Sequence, residues 1–328
     1  MLFLHAVAAF HPENVIDNAF LESLDIGVTE QWILDRVGIL ERRTVLPLDY
    51  IRMTKNADPR QAIKLAMYTS ADTSERAAKR ALQMAGISAA DVGLVIAGSS
   101  SCEHTAPAQA CEIAARLMIS APCFDLNAAC SSFAVQVHFL SHMESKSLPD
   151  YVLLVNPENS TRFVNYSDRS NSVLVGDGTT AAILSPRVPS AAKIKFSRMY
   201  CDPQGWDRVT VAAGGYFQQQ GASVQKFAIT RTIELFRELN DLIGCHPPRI
   251  LFVGHQANLM ALQTICARAE INSLNHLYNV DRFGNTFAAG APSVIAEHWD
   301  NFRNDDALIV AVVGAGLTWA GFVIKFCF

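Results

Sequence analysis

The sequence predicts an α/β fold made of two similar halves, on three observations. Short β-branched runs alternate with longer stretches whose apolar residues recur every three or four positions. The same order of strand, glycine and helix occurs twice: Gly98 pairs with Gly254 and Asp150 with Asp306, each pair 156 residues apart (98 to 254, 150 to 306). Half of the 328 residues are hydrophobic and 18% are charged, enough apolar surface for a large core.

The elements follow in order. The opening MLFLHAVAAF lacks a basic flank and runs straight into HPENV, so it is expected to be a first strand rather than a signal peptide. Residues 74–86 and 108–119 carry helical periodicity, whereas 91–100, 151–160 and 179–186 are β-branched runs of strand length. The second half repeats this with a strand, glycine and helix from 249 and a strand from 306. Residues 186–225 are polar and weakly periodic, and are expected to be an excursion covering a site. The expected division is a first half, 1–186, and a second half, 187–328.

Composition excludes several functions. A net charge of −4 without long charge runs leaves no footprint for nucleic acid or an anionic membrane. No stretch approaches the ~20 apolar residues of a membrane span. The eight cysteines, at 102, 111, 123, 130, 201, 245, 266 and 327, form no CxxC pair and no zinc-ligand spacing with histidine, so no metal is expected. They are expected to be reduced thiols of a cytoplasmic protein.

Three residues sit at predicted strand ends or turns, where α/β scaffolds present reactive groups: Cys130 in NAACSS, His255 in FVGHQAN and Asn285 in DRFGNTFAAG. Cys130 follows the extended run 124–129 and precedes a helix beginning near Ser131. Backbone N–H groups and the positive end of the helix dipole there favour thiolate. A packed, inert cysteine is the competing reading. His255 is suited to hydrogen bonding in a cleft, or to holding a loop carbonyl. Asn285 alone is ordinary turn chemistry. VGDGTT and VVGAGLTWAG match no phosphate-loop pattern, so their glycines are expected to let backbones approach one another.

Taken together, TEQWILDRVGILERR, NAACSSF, GDGTTAAIL, GHQANL, DRFGNTFAAGAP and GAGLTWAGFVIKF resemble, in order and spacing, the β-ketoacyl-acyl-carrier-protein synthase III family. The resemblance implies a thiolase-like αβαβα sandwich of two duplicated halves, homodimeric, working on acyl-CoA and acyl-carrier-protein thioesters without a cofactor. It implies that Cys130 carries the acyl group and that His255 and Asn285 hold the second thioester's carbonyl as it becomes an enolate. It implies further that the backbone N–H groups of Cys130 and Ala315 form the oxyanion hole. It also implies that Trp32 and Arg36 lie around the adenine and phosphates of coenzyme A or at the pantetheine entrance.

Departures from the family bear on substrate. Ala106 stands where members that initiate fatty-acid synthesis carry a bulky aromatic, which predicts an acyl chain longer than acetyl. Glu103, in the same loop, is a candidate base reaching a partner subunit's site, against the plainer reading of a solvated charge. Ala315 replaces the middle glycine of a triple-glycine turn, where a positive φ would be strained. Met260 occupies a position that is often basic, leaving Arg268 as the nearby candidate for docking acyl carrier protein. These departures favour condensation of two sizeable chains in specialised metabolism. The alternatives are fatty-acid initiation with malonyl-carrier protein, acyl transfer to an oxygen or nitrogen acceptor, and a non-catalytic partner subunit. Degradative thiolase is disfavoured because the C-terminal region lacks that class's second catalytic cysteine, and Cys327 is expected to be packing.

Overall fold

The computed structural model describes residues 1–244 and 247–328, so Cys245 lies outside the described residues. Nine strands carry the main sheet: β1 (Leu2–Phe10), β2 (Val92–Ala97), β3 (Cys123–Asp125), β4 (Tyr151–Glu158), β5 (Gly178–Ser185), β6 (Ala192–Cys201), β7 (Ile250–Gly254), β8 (Ala307–Gly314) and β9 (Thr318–Phe326). The longer helices among the described residues are α1 (Glu30–Val37), α2 (Ser70–Ala85), α3 (Gln109–Arg116), α4 (Ser132–His142), α5 (Gly221–Ile243), α6 (Leu259–Ala269) and α7 (Gly290–Glu297).

The strand order is β7-β8-β9-β6-β1-β5-β4-β2-β3, mixed parallel and antiparallel. It is symmetric about its middle. β1 and β6 meet over Leu2–Leu4 alone, and outward from that seam β5 matches β9, β4 matches β8 and β2 matches β7. The 156-residue repeat is therefore a repeat of structure. Helices α2 and α3 cover β1, β2, β4 and β5, while α5 covers β6, β8 and β9. Between the halves lie α4, against β4, β6, β8 and β9, and α7, against β1, β5 and β7. Helices on both faces explain why β5 and β8 are buried along their whole lengths.

Local chemistry sets the element ends. α2 starts at Ser70, earlier than periodicity alone places it, because Thr69 and Asp72 form a capping box. The stretch 186–225 differs from the expected single excursion: 192–201 forms β6, in the middle of the sheet. The excursion is confined to the turn Pro203–Arg208 and a ribbon pairing Val209–Val211 with Phe217–Gln219. Near Cys130 the expected extended run is shorter, since β3 ends at Asp125 and residues 126–131 form a turn.

The glycine-rich VGDGTT joins backbone to backbone, as expected. A β-carbon on Gly176 would lie 2.1 Å from the Phe283 carbonyl oxygen, and the Asp177 carboxylate accepts the N–H groups of Val45 (2.7 Å) and Thr161 (2.8 Å). No helix among the described residues is long and apolar enough to cross a membrane.

Candidate active site

Cys130 occupies the turn between β3 and α4, a turn that caps itself. Asn127 Oδ1 accepts the Ala129 N–H (2.9 Å), Asn127 Nδ2 donates to the Ser99 carbonyl (2.8 Å), and the Ser132 hydroxyl accepts the Ala128 N–H (2.9 Å). Ala129 takes a left-handed φ of 49°, which turns the chain towards α4, two residues after Cys130. α4 begins at Ser132 with Ser131 as its cap residue. Cys130 thus stands just outside the helix, buried with 9% of the residue exposed.

The backbone N–H groups of Cys130 and Ala315, the pair the resemblance assigns to the oxyanion hole, act on the thiol in the direction that lowers its pKa. Their effect on the resting thiol is outweighed. Burial, followed by the charge of Glu158, pushes the Cys130 thiol well above its ordinary range, so the thiolate expected from the helix terminus is not the resting form. Ala315 escapes the expected strain, because the positive φ of this turn (126°) falls on Gly316.

His255 directly follows β7 and is half-buried. Burial lowers its pKa to about 4, leaving a neutral ring, and its Nδ1 has no hydrogen-bond partner. Asn285 follows Gly284, whose φ of 66° and tight contact with the Leu174 carbonyl (2.6 Å from a built β-carbon) demand glycine. Its backbone is pinned on both sides: its N–H donates to Leu174 O (2.8 Å), and its carbonyl accepts from Gly176 N (3.0 Å). Its side-chain Oδ1 accepts the Phe287 N–H (2.9 Å), leaving the Nδ2 end of the amide for a ligand.

Cys130, His255, Asn285 and Ala315 all line one cavity of about 650 Å³, together with Trp32 and Arg36. Thr29 caps α1 at the Trp32 N–H (3.2 Å), and the guanidinium of Arg36 lies 5.5 Å from the indole centre. A second guanidinium, Arg169, lies 5.4 Å from the same ring and is anchored on the Gly27 carbonyl (2.8 Å). Sequence reasoning missed Arg169, since the turn SDRSN gives it no distinguishing context. It also missed Phe217 and Phe287, which line this cavity and a smaller one of about 200 Å³ that again reaches Cys130 and Ala315. The ribbon thus covers the site through Val209 and Phe217.

Three other sequence candidates lie elsewhere. Ala106 is exposed in its loop and lines neither cavity. Glu103 is neither a free base nor a solvated charge: it pairs with the fully buried Arg162 and accepts the Ser70 N–H (2.8 Å), with its side chain 9% exposed. A carboxylate so held is committed within its own protomer. Arg268 is exposed near the end of α6, outside both cavity linings. Cys327 is half-buried, and the described cysteines are all free thiols.

Comparison with known proteins places this geometry. The family described as 3-oxoacyl-[acyl-carrier-protein (ACP)] synthase III matches residues 124–203, and its C-terminal counterpart matches 249–326. The β-ketoacyl-[acyl-carrier-protein] synthase III of Roseiflexus sp. (strain RS-1) is 31% identical over 96% of this chain and 95% of its own. That of Coxiella burnetii (strain RSA 493 / Nine Mile phase I) is 27% identical over 98% of each. The crystal structure of 3-oxoacyl-[acyl-carrier-protein] synthase III from Aquifex aeolicus VF5 superimposes with a TM-score of 0.86 at 25% identity, covering 99% of this chain and 100% of that one. With its duplicated five-layer fold and a relative of 31% identity along nearly its whole length, the chain belongs to the β-ketoacyl-acyl-carrier-protein synthase III family of condensing acyltransferases.

Proposed function

We propose that this enzyme starts acyl chains by loading an acyl group from coenzyme A onto Cys130 and condensing it with malonyl-carrier protein. The single observation that carries the reading is the shared cavity. Its wall brings a cysteine beside two backbone donors together with a neutral histidine and an asparagine amide, and it also carries an indole with two guanidiniums close to its ring.

In the first half-reaction Cys130 Sγ attacks the thioester carbonyl, and the N–H groups of Cys130 and Ala315 hold the oxyanion. Coenzyme A leaves as its thiol, taking the proton that Cys130 gives up. In the second, the malonyl thioester loses carbon dioxide. The electron pair of the broken carbon–carbon bond becomes an enolate, whose oxygen accepts hydrogen bonds from His255 and Asn285. A neutral imidazole suits this role, since it donates a hydrogen bond without delivering the proton that would quench the carbanion. The α-carbon then attacks the acyl-cysteine carbonyl, and Cys130 departs as a thiolate that takes a proton from solvent. The product is a β-keto thioester.

The names of the relatives support initiation over the specialised condensation of two long chains, which the departures at Ala106 and Glu103 favour from sequence. Glu103 is tied to Arg162, and Ala106 touches neither cavity of its own protomer, so any bearing of Ala106 on chain length runs through a dimer. The homodimer is itself part of the proposal. β3 is the edge of the sheet, with Phe124 44% exposed on it and Met118 90% exposed just before it. Arg36, Arg169 and Arg268 are exposed cations for an acidic carrier protein. The setting proposed is the cytoplasm.

The test is product formation. Enzyme, acyl-CoA and carboxyl-labelled malonyl-carrier protein should yield labelled carbon dioxide and a β-ketoacyl-carrier protein in equal amounts. Release of carbon dioxide with no carbon–carbon bond formed contradicts the reading.

A further inference from the structure

Glu158 ends β4, and its side chain is wholly buried. Its two carboxylate oxygens accept the Ser100 N–H (3.0 and 3.2 Å), the Ser160 hydroxyl (3.1 Å) and the Ala288 N–H (3.4 Å), all uncharged donors. Ser100 belongs to the loop after β2 in the first half of the chain. Ala288 belongs to the second half, three residues beyond Asn285 and next to Phe287, whose N–H the Asn285 amide holds. The carboxylate therefore joins two loops that meet at the reacting thiol.

A buried carboxylate without a counter-cation is costly, and shape alone does not call for one. Burial raises the pKa of Glu158 to about 7, which puts its change of charge near neutrality. The thiols that this charge acts on are Cys130 and Cys102. The other charged groups on the surrounding elements are already engaged. Arg162 pairs with Glu103 and holds the Ser101 carbonyl (2.8 Å), and Asp125 caps α3 through the N–H groups of Gln109 (2.7 Å) and Ala110 (2.9 Å).

We propose that Glu158 is a positioning residue of the condensing site: its carboxylate ties the Ser99–Ser101 loop to the Asn285–Ala288 turn and adds to burial in holding Cys130 as an uncharged thiol until an acyl thioester arrives. Two like charges in a water-poor site repel strongly, so an ionised Glu158 opposes the thiolate and a protonated one permits it. The resting cysteine is thereby shielded from alkylation and oxidation. Once acylated, Cys130 carries no charge, and the opposition ends.

The inference rests on Cys130 being the acylated residue, and its test is separable from that reading. Iodoacetamide alkylation of Cys130 in the unmodified enzyme is followed by peptide mass from pH 5.5 to 9.5. The logarithm of the rate should climb with pH, flatten near neutrality as Glu158 ionises, and climb again. In Glu158→Gln the flat region should vanish and the rate at pH 8 should rise about tenfold, which corresponds to one pH unit, while Glu158→Asp restores the flat region. A single unbroken climb in the unmodified enzyme overturns the proposal even if Glu158→Gln fails to fold. Acylation found on a residue other than Cys130 overturns the reading beneath it instead.

Discussion

Gly314 lies directly against Ser131, the residue after Cys130: a β-carbon on Gly314 would come within 2.8 Å of both the Ser131 nitrogen and its hydroxyl. The C-terminal end of β8 and the start of α4 are thus locked at a distance that glycine alone permits, and this contact brings the Ala315 N–H to the Cys130 thiol. Gly314→Ala should push the two apart. Acylation by acetyl-CoA is expected to fall at least tenfold, with stability reduced by about 1–3 kcal/mol. Stopped-flow acylation and thermal melting check the two parts, and unchanged acylation would show that the contact does not set the oxyanion geometry.

The indole of Trp32, with the guanidiniums of Arg36 and Arg169 close to its ring, predicts a binding effect rather than a chemical one. In Trp32→Ala, KM for acyl-CoA should rise about five- to thirtyfold, in keeping with roughly 1–2 kcal/mol for a stacked cationic site. The rate at saturation should stay within about twofold. Arg169→Met should follow the same pattern, with a weaker dependence of KM on salt than the unmodified enzyme. A fall in kcat at unchanged KM would remove this aromatic platform from the account.

His255 predicts a pH profile. Its pKa of about 4 lies below the ordinary histidine value, so the folded enzyme holds it neutral while an unfolded chain takes up a proton near pH 6.5. The sign follows: its contribution to stability is fully present above pH 6.5 and is lost as pH falls towards 4. Malonyl-carrier-protein decarboxylation, measured on enzyme already acylated, should be level from pH 8 to 5 and drop below about 4. His255→Ala should abolish decarboxylation while leaving Cys130 acylation within about threefold. Loss of both half-reactions together would contradict the division of labour.

Glu103 predicts the opposite behaviour. Removing its charge strands the buried guanidinium of Arg162. Glu103→Gln should destabilise the protein by about 3 kcal/mol, measured by denaturant unfolding, with turnover per folded molecule unchanged. Reduced turnover in fully folded variant would restore a chemical role for this carboxylate.

These residues also mark how far the sequence can be read. The repeat was legible because Gly98 and Gly254 each follow a strand that helices cover on both sides, and such strands need unbroken apolar runs. Cys130, His255 and Asn285 were legible because each adjoins a glycine or a helix start, features that leave marks in the local pattern. β6 was harder, since AKIKFSRMYC carries charges on a strand whose flanks are only partly covered. Arg169 and the pairing of Glu103 with Arg162 leave no local mark, because contacts across 59 residues depend on the finished fold. Glu158 did leave one, a carboxylate closing the buried run YVLLVNPE, but its partners Ser100 and Ala288 lie 58 and 130 residues away.

The central claim is that Cys130 carries the acyl group, and intact-protein mass spectrometry tests it most directly. The unmodified enzyme and Cys130→Ala are each incubated with acyl-CoA thioesters of graded chain length. The account predicts that the unmodified protein gains one acyl mass, mapped to the peptide containing Cys130, while the variant gains none. An acyl mass on the variant, or none on the unmodified protein across the series, would contradict it.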